Sequence, residues 1–521
     1  MIMRQWSQVW LFITRFSQVN WLAFKLLFWH SGLPEERFRL FFEQAGGGFL
    51  KLGQILALRY DLLPPRYTQE LLKLLSSVKT VPFSELEPVL IAGLGGKPEQ
   101  FFSRLQHTPI ASASISQVYR ATLKTGEEVV VKIKRPGVDE AFTTDFALAS
   151  FLAGLIGLFR LSRSLNLEEA VAEFIVWTRR ELDFRFEAKN AEVLRAHSHR
   201  HPNTIIPKVY PELSTSEVLV MEYMANIYRL DTVIQGLDKN LNLRGDLLRQ
   251  QRLDLSQMAY YFIFDGMRQY FIDGFFHADP HPANVFLLSD NRLGYFDFGL
   301  IGEVDSRRLE LLKIIYGIAN HDLTAVSQAF LSYSKRSLNE EIEIFRHHRK
   351  QDFAKYERIL AKIEEIITEN FREELEEILA PWYSPDPEAD PYAASASVIF
   401  SRLLFRAQSY SVYVPREMVI FFRSLIIADM VAIKLEPEFN MVKALKLFFR
   451  EYPLNKAEEI IKAKSHEDEL SGDLEPVLNL EYEELMELKQ LERERLSLAA
   501  ERLSDLILYY AENYEEVRKM L

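Results

Sequence analysis

His277-Ala278-Asp279-Pro280-His281-Pro282-Ala283-Asn284 is the densest run of chemically capable side chains in the sequence, and Asp297-Phe298-Gly299 follows it after a short strand pattern. Asp279 and Asn284 are five residues apart, and Asp297 lies eighteen beyond Asp279. Carboxylate and amide oxygens are the donors that Mg²⁺ prefers. Phosphoryl transfer asks a protein mainly for metal-held phosphates and a carboxylate near the attacking hydroxyl or water. An Asp-Phe-Gly on its own is a weak sign. The ordered set of Asp, Asn and Asp-Phe-Gly is a strong one. The competing reading makes His277, Asp279 and His281 a structural turn, or a transition-metal site of His-x-x-x-His spacing. That reading leaves Asp297 and an upstream lysine unexplained.

The same chemistry needs a strand lysine for the α- and β-phosphates and a helix glutamate to orient it. Val129-Val130-Val131-Lys132 fits the strand. Lys134 shares its face at period two and competes for the role. Lys132 is preferred, because Lys134-Arg135-Pro136-Gly137 reads as a strand end and turn. A helix is expected over about 166–196, and Glu181, Asp183 and Glu187 are its acidic candidates. On one ideal helix, six residues put Glu181 and Glu187 on roughly opposite sides, serving different partners. Ala111, Ser112, Ala113, Ser114, Ile115, Ser116, Gln117 and Val118 stand where a phosphate-covering loop belongs, with no glycine among them. Small side chains still permit close approach, at the cost of backbone freedom. Glu222 and Met224 complete the nucleotide-binding candidates.

Positioning these groups needs a sizeable scaffold. The chain has 521 residues, 48% hydrophobic and 26% charged, enough for two to four domains with large cores. Its net charge of −12 argues against general nucleic-acid binding. It has no cysteine, which removes disulfides, zinc–thiolate sites, thiol nucleophiles and iron–sulfur clusters. Helical spacing marks residues 1 to about 80, broken at Gly46-Gly47-Gly48 and Pro64-Pro65. Gln117–Leu123 and Glu128–Ile133, around a Lys124–Glu127 turn, predict a hairpin. Short strands are expected near Ile205–Val209 and Val218–Met221. From about 250 the pattern is helical, interrupted at 276–302. Pro381–Pro391 reads as a surface loop. The Glu-rich last 65 residues, with Leu485, Leu488, Leu491 and Leu498, read as a charged amphipathic docking tail.

No apolar run reaches the roughly 18 residues of a transmembrane helix. Val419–Leu435 contains Arg423, Asp429 and Lys434 and reads as a buried helix. The N-terminus is different. Trp6, Trp10, Trp21 and Trp29 lie there with Phe12, Phe16, Phe24 and Phe28, and its charges before Glu35 are Arg4, Arg15 and Lys25. Such a composition suits a helix lying in a membrane interface. The alternative is a helix that packs its aromatics on the protein's own core.

The chain resembles the UbiB/ABC1/ADCK (AarF) family of atypical protein-kinase-like proteins over roughly residues 35–330. Four ordered motifs carry the resemblance. They are Lys51-Leu52-Gly53-Gln54 running on to Leu58–Pro64, Pro109–Tyr119, Glu181-Leu182-Asp183-Phe184 with Glu187, Ala188 and Asn190, and His277–Asn284 with Asp297-Phe298-Gly299. The resemblance implies an α+β, two-lobed, mostly helical kinase-like fold with an N-terminal helical extension and a C-terminal helical tail. The expected divisions are a 1–34 surface helix, a 35–105 helical extension, a 106–225 N-lobe, a 226–440 C-lobe and a 441–521 tail. It implies Lys132 as the nucleotide lysine paired with Glu187. It implies Lys51 paired with Glu181 and supported by Asp183, Asp279 at the catalytic-loop position, and Asn284 and Asp297 as Mg²⁺ ligands.

The family's extension covers the place of a protein substrate, so ATPase or small-molecule kinase chemistry on Mg–ATP is expected. The associated biology is ubiquinone or other prenyl-quinone lipid synthesis. The expected setting is cytoplasmic and peripheral to a membrane, with quinone-biosynthesis proteins as partners. Ser112 and Ser116 depart from the family's A-A-A-S-I-G-Q pattern, and the charged C-terminal helix differs from the transmembrane helices that often end bacterial members. An aminoglycoside- or choline-kinase-like enzyme and a non-catalytic, nucleotide-gated scaffold or lipid-binding protein are the alternatives. Lys51–Gln54 speaks against the first of these.

Overall fold

Every second residue over 119–123 and 129–133 turns an apolar side chain to the core, and these two strands build the sheet that carries the lysine. The computed structural model describes residues 2–28, 32–56, 65–75, 80–158, 171, 175–176, 178–240, 242–304, 308–330, 353–384, 394–409, 416–470 and 507–520. They fall into two units, Met1–Ile227 with Gly294–Leu300, and Tyr228–Leu293 with Ile301–Leu521. The fold is mostly helical, with sheets in both units.

In the first unit, strands β1 (Phe102–Leu105), β3 (Ser116–Leu123), β4 (Glu128–Lys134) and β5 (Val218–Glu222) lie side by side in that order, and β2 (Ala111–Ser112) joins β3. Val118 pairs with Lys132 in the antiparallel β3–β4 register. Tyr119, Ala121, Leu123, Val129, Val131 and Ile133 are buried with Leu86 and Leu90. Period-two alternation sends Lys132 and Lys134 to the opposite face. Residues 102–105 were expected to be helical. They form a strand because Phe102 enters this core while its backbone pairs with β3. The strand expected over Ile205–Val209 reduces to Thr204–Ile205 and a single bridge from Val209 to Met221.

Helices α1 (Ile2–Phe28), α2 (Pro34–Ala45) and α3 (Gly47–Leu56) form the extension, and α4 (Phe83–Leu94) covers the sheet core. Helix α5 (Val138–Leu158), which the sequence reading did not anticipate, shares a core with the extension through Leu148, Val19, Phe42, Phe49 and Leu56. A charged pair fastens them. Arg15 Nε donates to Asp145 Oδ1 at 2.6 Å, Arg15 Nη2 donates to the Ala45 carbonyl at 2.8 Å, and the Gly48 N–H donates to Asp145 Oδ2 at 2.7 Å. A Cβ on Gly47 would stand 2.6 Å from Asp145 Oδ2, so the glycine run admits the carboxylate as well as separating α2 from α3. Gly53 has a packing role too, since its Cβ would fall 2.7 Å from Phe42.

Helix α6 (Phe184–Ser198) begins later than expected. Asp183 caps it by accepting from the Arg185 N–H. Residues 178–181 end a preceding helical stretch, and Leu182-Asp183 break it. Glu181 and Glu187 therefore stand on different helices, and the opposite-faces argument does not apply to them.

In the second unit, α7 (Leu255–Met267) runs into a π-helical turn, Arg268–Asp273, and then β6 (Phe275–His277). Strand β7 (Val285–Leu288) pairs with Tyr228–Arg229, and β8 (Ile301–Glu303) pairs with β6. Helix α8 (Arg416–Leu435) packs on α7, and Tyr270 and Phe271 meet its Phe421 in tilted and edge-to-face contacts, with ring centroids 4.4 and 5.3 Å apart. Arg268 is buried between Asp265, at 2.7 Å, and Asp273. A helix continues through Pro381 to Tyr383, so the expected loop starts later than Pro381. Its residues 385–393, the segment Leu58–Pro64 and the leucines at 485–498 lie outside the described residues. Among the described residues, no helix is long and apolar enough to cross a membrane.

Replacing Asp145 by Ala strips a partner from Arg15 and an acceptor from the Gly48 N–H. The expected loss is about 3 kcal/mol, typical of breaking a buried pair. Urea unfolding followed by tryptophan fluorescence checks it, and an unchanged midpoint would disprove the fastening role.

Candidate functional site

Lys132 is buried on the face of β4 opposite the apolar core. A buried ammonium needs matching charge. Its Nζ donates to Glu187 Oε1 and Oε2 at 2.7 and 2.8 Å, and to Asp297 Oδ2 at 3.3 Å. Burial alone would favour the neutral amine. Asp297 and Glu187 together outweigh it and hold the lysine above its ordinary range. The Phe184 ring lies 5.2 Å from the same ammonium and adds a cation–π contact. Lys134, the competing lysine, pairs with Asp139 at 3.2 Å.

Helix α6 also holds the Asp-Phe-Gly turn. Three residues after Glu187, and so on the same helix face, Asn190 Nδ2 donates to the Phe298 carbonyl at 2.8 Å. The Gly299 N–H donates to Asp297 Oδ1 at 3.0 Å. Both Asp297 oxygens are thereby oriented. The extension reaches the same turn. Lys51 Nζ donates to Glu181 Oε1 at 2.6 Å, and a Cβ on Gly299 would lie 3.6 Å from Glu181 Cγ. Asp183 is placed differently from the expectation. Its carboxylate takes the Arg185 guanidinium and the helix N-cap, which keeps it below the usual carboxylate range despite burial.

The glycine-free loop is a braced hairpin. Ala111 pairs with Val118 and Ser112 with Gln117. Arg135 Nε donates to the Ala113 carbonyl at 3.0 Å, Arg135 Nη2 to Ser112 Oγ at 2.8 Å, and the Arg135 N–H to the Ile115 carbonyl at 2.8 Å. Ser114 is half-buried; Ile115 and Ser116 are buried. Gln117 needs correcting as a nucleotide-facing side chain. It sits on the core face, where its amide exchanges hydrogen bonds with the Val81 backbone and donates to Tyr119 Oη. The alternation that turns Val118 toward Lys132 turns Gln117 away. Glu222 ends β5, and its carboxylate accepts from the Lys208 N–H, while Met224 follows outside regular structure.

Asp279 and Asn284 lie in the second unit. Asn284 Nδ2 donates to Asp279 Oδ2 and to the Asp279 carbonyl, each at 3.2 Å. This orientation turns the amide nitrogen to Asp279 and leaves the amide oxygen as the metal-capable atom. His277 Nδ1 accepts from the Asp279 N–H and His281 Nδ1 from the Ala283 N–H, which is a turn-building use of both rings. No group of three His, Asp or Glu able to hold a metal occurs among the described residues.

Two supports of this loop escaped the sequence reading. Gln269, in the π turn, accepts from the His277 N–H at 2.9 Å and donates to Asp265 at 2.7 Å. Arg423 Nη2 stands 4.0 Å from Asp279 Oδ1, and Ser424 Oγ donates to the Ala278 carbonyl at 3.3 Å. A lone arginine inside the apolar window 419–435 was the available signal for the second.

A sheet lysine matched to a helix glutamate, an Asp-Phe-Gly turn held by that helix and an Asp–Asn loop define a protein-kinase-like domain. The model of the ABC1 atypical kinase-like domain matches residues 73–330. An uncharacterized Synechocystis protein is 33% identical over 300 residues, 56% of this chain and 71% of that protein. The chain belongs to the ABC1 atypical kinase-like family. The Arabidopsis thaliana protein named ACTIVITY OF BC1 COMPLEX KINASE 8, chloroplastic, is 30% identical over 341 residues, 62% of this chain and 43% of its own length. A solved structure described as Rv3197 with erythromycin, from Mycobacterium tuberculosis, has 30% identity over 56% of this chain and 71% of that one, with a TM-score of 0.40.

Lys51→Ala removes a half-buried pair local to α3, so its global cost should be about 1 kcal/mol. Local opening of α3 should rise clearly. Hydrogen exchange across Gly47–Leu56 checks this, with Glu181→Ala giving the same pattern. Unaltered exchange in both variants would show that the pair does not hold the extension.

Proposed function

We propose that this chain binds Mg–ATP and hydrolyses it, or transfers its phosphate to a small or lipid acceptor. The single observation that supports the reading most is the buried Lys132 held between Glu187 and Asp297. Lys132 would hold the α- and β-phosphates and Glu187 would keep it aimed. Asp297 in the first unit and Asn284 in the second each carry an oxygen of the kind that Mg²⁺ takes, and the metal when bound neutralises phosphate charge. The donors fit that metal, being carboxylate and amide oxygens. Asp279 would accept the proton of the attacking hydroxyl or water. The hairpin Ala111–Val118 would cover the phosphates with small side chains, Ala113 among them being exposed. An Arabidopsis relative is named a kinase, in keeping with this chemistry.

A membrane surface is the proposed setting, and an isoprenoid quinone or its precursor the proposed lipid. Helix α1 supports the first part. Trp10, Ile13, Trp21, Phe24 and Phe28 are exposed, Trp10 at 67% and Phe28 at 69%. At 100° per residue these five fall within an arc of about 80°. Val19 and Leu26 are buried on the opposite side, with Phe12 and Phe16 turned to the same core. One face of the helix thus packs on the protein's own core, and the other leaves aromatic side chains exposed, as a membrane contact would require. An exposed aromatic face with the exposed Lys25 on the same helix matches the interfacial region of an anionic bilayer.

One observation favours the gated scaffold as a second reading, namely the Lys51–Glu181 pair beside Gly299. Tight nucleotide binding without phosphate release, and normal cellular function of Asp297→Asn, would select it.

Purified protein should release phosphate from Mg–ATP, and Asp297→Asn should lower the rate at least about 100-fold. An inactive parent that binds no nucleotide would overturn the enzymatic reading. Separately, the chain should bind anionic vesicles in a salt-sensitive way, and exchanging Trp10, Trp21 and Phe28 for Ser should abolish that binding. Vesicle flotation of the triple variant at parental levels would remove α1 as the contact.

A further inference from the structure

We propose that Arg423 is a positioning residue for the Asp279 carboxylate, with Ser424 as its companion on the loop backbone. The proposal rests on the reading of Asp279 as the group beside the attacking oxygen. Asp279 has a different neighbour at each carboxylate oxygen. Oδ2 accepts from Asn284 within the loop, at 3.2 Å, while Oδ1 faces the Arg423 guanidinium at 4.0 Å. The next residue of α8, Ser424, donates to the carbonyl of the previous loop residue, Ala278, at 3.3 Å. Two successive helix residues therefore meet two successive loop residues. One contact acts on the carboxylate and the other on the backbone that carries it.

The burial pattern gives these contacts a direction. Arg423 is 9% exposed, and its neighbours Phe421, Phe422, Leu425 and Ile426 are buried. The Asp279 side chain remains 36% exposed. The cation is thus buried while the carboxylate stays partly open to solvent. An arginine keeps its charge at any physiological pH. Placing one among buried apolar residues opposes folding unless its charge is used. Ser424 adds what charge alone lacks, a directional hold on the chain. Together they would fix the carboxylate's position without occupying the side from which a hydroxyl or water would approach. Misplacement by about 1 Å is enough to cost on the order of 100-fold in rate.

The test compares phosphate release and Mg–ADP affinity for the full chain, Arg423→Met, Arg423→Lys, Ser424→Ala and Asp279→Asn, together with the Asp279→Asn/Arg423→Met double variant. Arg423→Met should lower kcat about 10- to 100-fold while KM for ATP and Mg–ADP affinity stay within about 2-fold of the parent. Arg423→Lys should recover part of the rate because it restores the charge. Ser424→Ala should lower kcat by a smaller factor in the same direction. In the Asp279→Asn background, Arg423→Met should have little further effect, because the group it positions is already gone. Full turnover by Arg423→Met, or equal losses in both backgrounds, would overturn the proposal. So would a loss that Lys does not relieve and that tracks a fall in melting temperature. A parent chain without turnover would remove the reading of Asp279 itself, and this role with it, before any Arg423 variant is compared.

Discussion

A lysine ammonium cannot be buried without carboxylates to match it, and much of the first unit follows from meeting that demand at Lys132. The sheet supplies the lysine because period-two alternation turns it away from the Val129–Val131–Ile133 core. Helix α6 supplies Glu187, and the 294–300 segment supplies Asp297. Three segments distant in sequence must then converge on one nitrogen. The helix secures the convergence twice, through Glu187 on the lysine and Asn190 on the Phe298 carbonyl. The break at Leu182-Asp183 matters for the same reason. It ends one helical stretch and starts α6 with a cap, which frees Glu181 to face Lys51 while Glu187 faces Lys132.

The extension depends on a second buried charge. Asp145 takes both the Arg15 guanidinium and the Gly48 N–H, so one carboxylate ties α1, α5 and the start of α3. Lys51 sits on the same short helix. The aromatic content of α1 is divided between a face that fills the extension's core and a face left in solvent. That division explains why composition alone supported two readings of the helix.

Rigidity replaces glycine in the hairpin over Ala111–Val118. A glycine-rich loop gains close approach through backbone freedom. Here Arg135 grips the loop at three places, and Gln117 pins its base to Val81. The second unit uses comparable bracing. A buried Asp265–Arg268–Asp273 cluster steadies a π turn whose Gln269 holds the first residue of the loop bearing Asp279. Irregular backbone at both candidate loops is here held by hydrogen-bonded polar side chains, with Gln117, Arg268 and Gln269 among them buried.

Local patterns determined the elements nearest the chemistry. The β3–β4 hairpin, the choice of Lys132 over Lys134 and the family's motifs were legible because strand period, turn residues and spacing are short-range properties. The pairing of Lys132 with Glu187 and of Lys51 with Glu181 came from the resemblance, since nothing in the spacing of residues so far apart requires contact. Sequence reading missed α5, whose later part, Phe146–Leu158, holds Ser150 as its one polar side chain and so lacks a polar stripe, and it merged two helical stretches across Leu182-Asp183. It also gave Gln117 to the nucleotide, because a one-residue change of face on a strand is invisible until the core side is known. Gln269, Arg423 and Ser424 were out of reach for a related reason. Ser424 acts on a residue 146 positions away and Gln269 on one 8 positions away across an irregular turn, and only the packing of α8 and the π turn brings donor to acceptor. Sequence by itself determined the family and the candidate groups for its chemistry, through residue types at fixed short intervals. Tertiary structure alone decided which charges meet, because burial makes an unmatched charge costly and so selects the long-range partners.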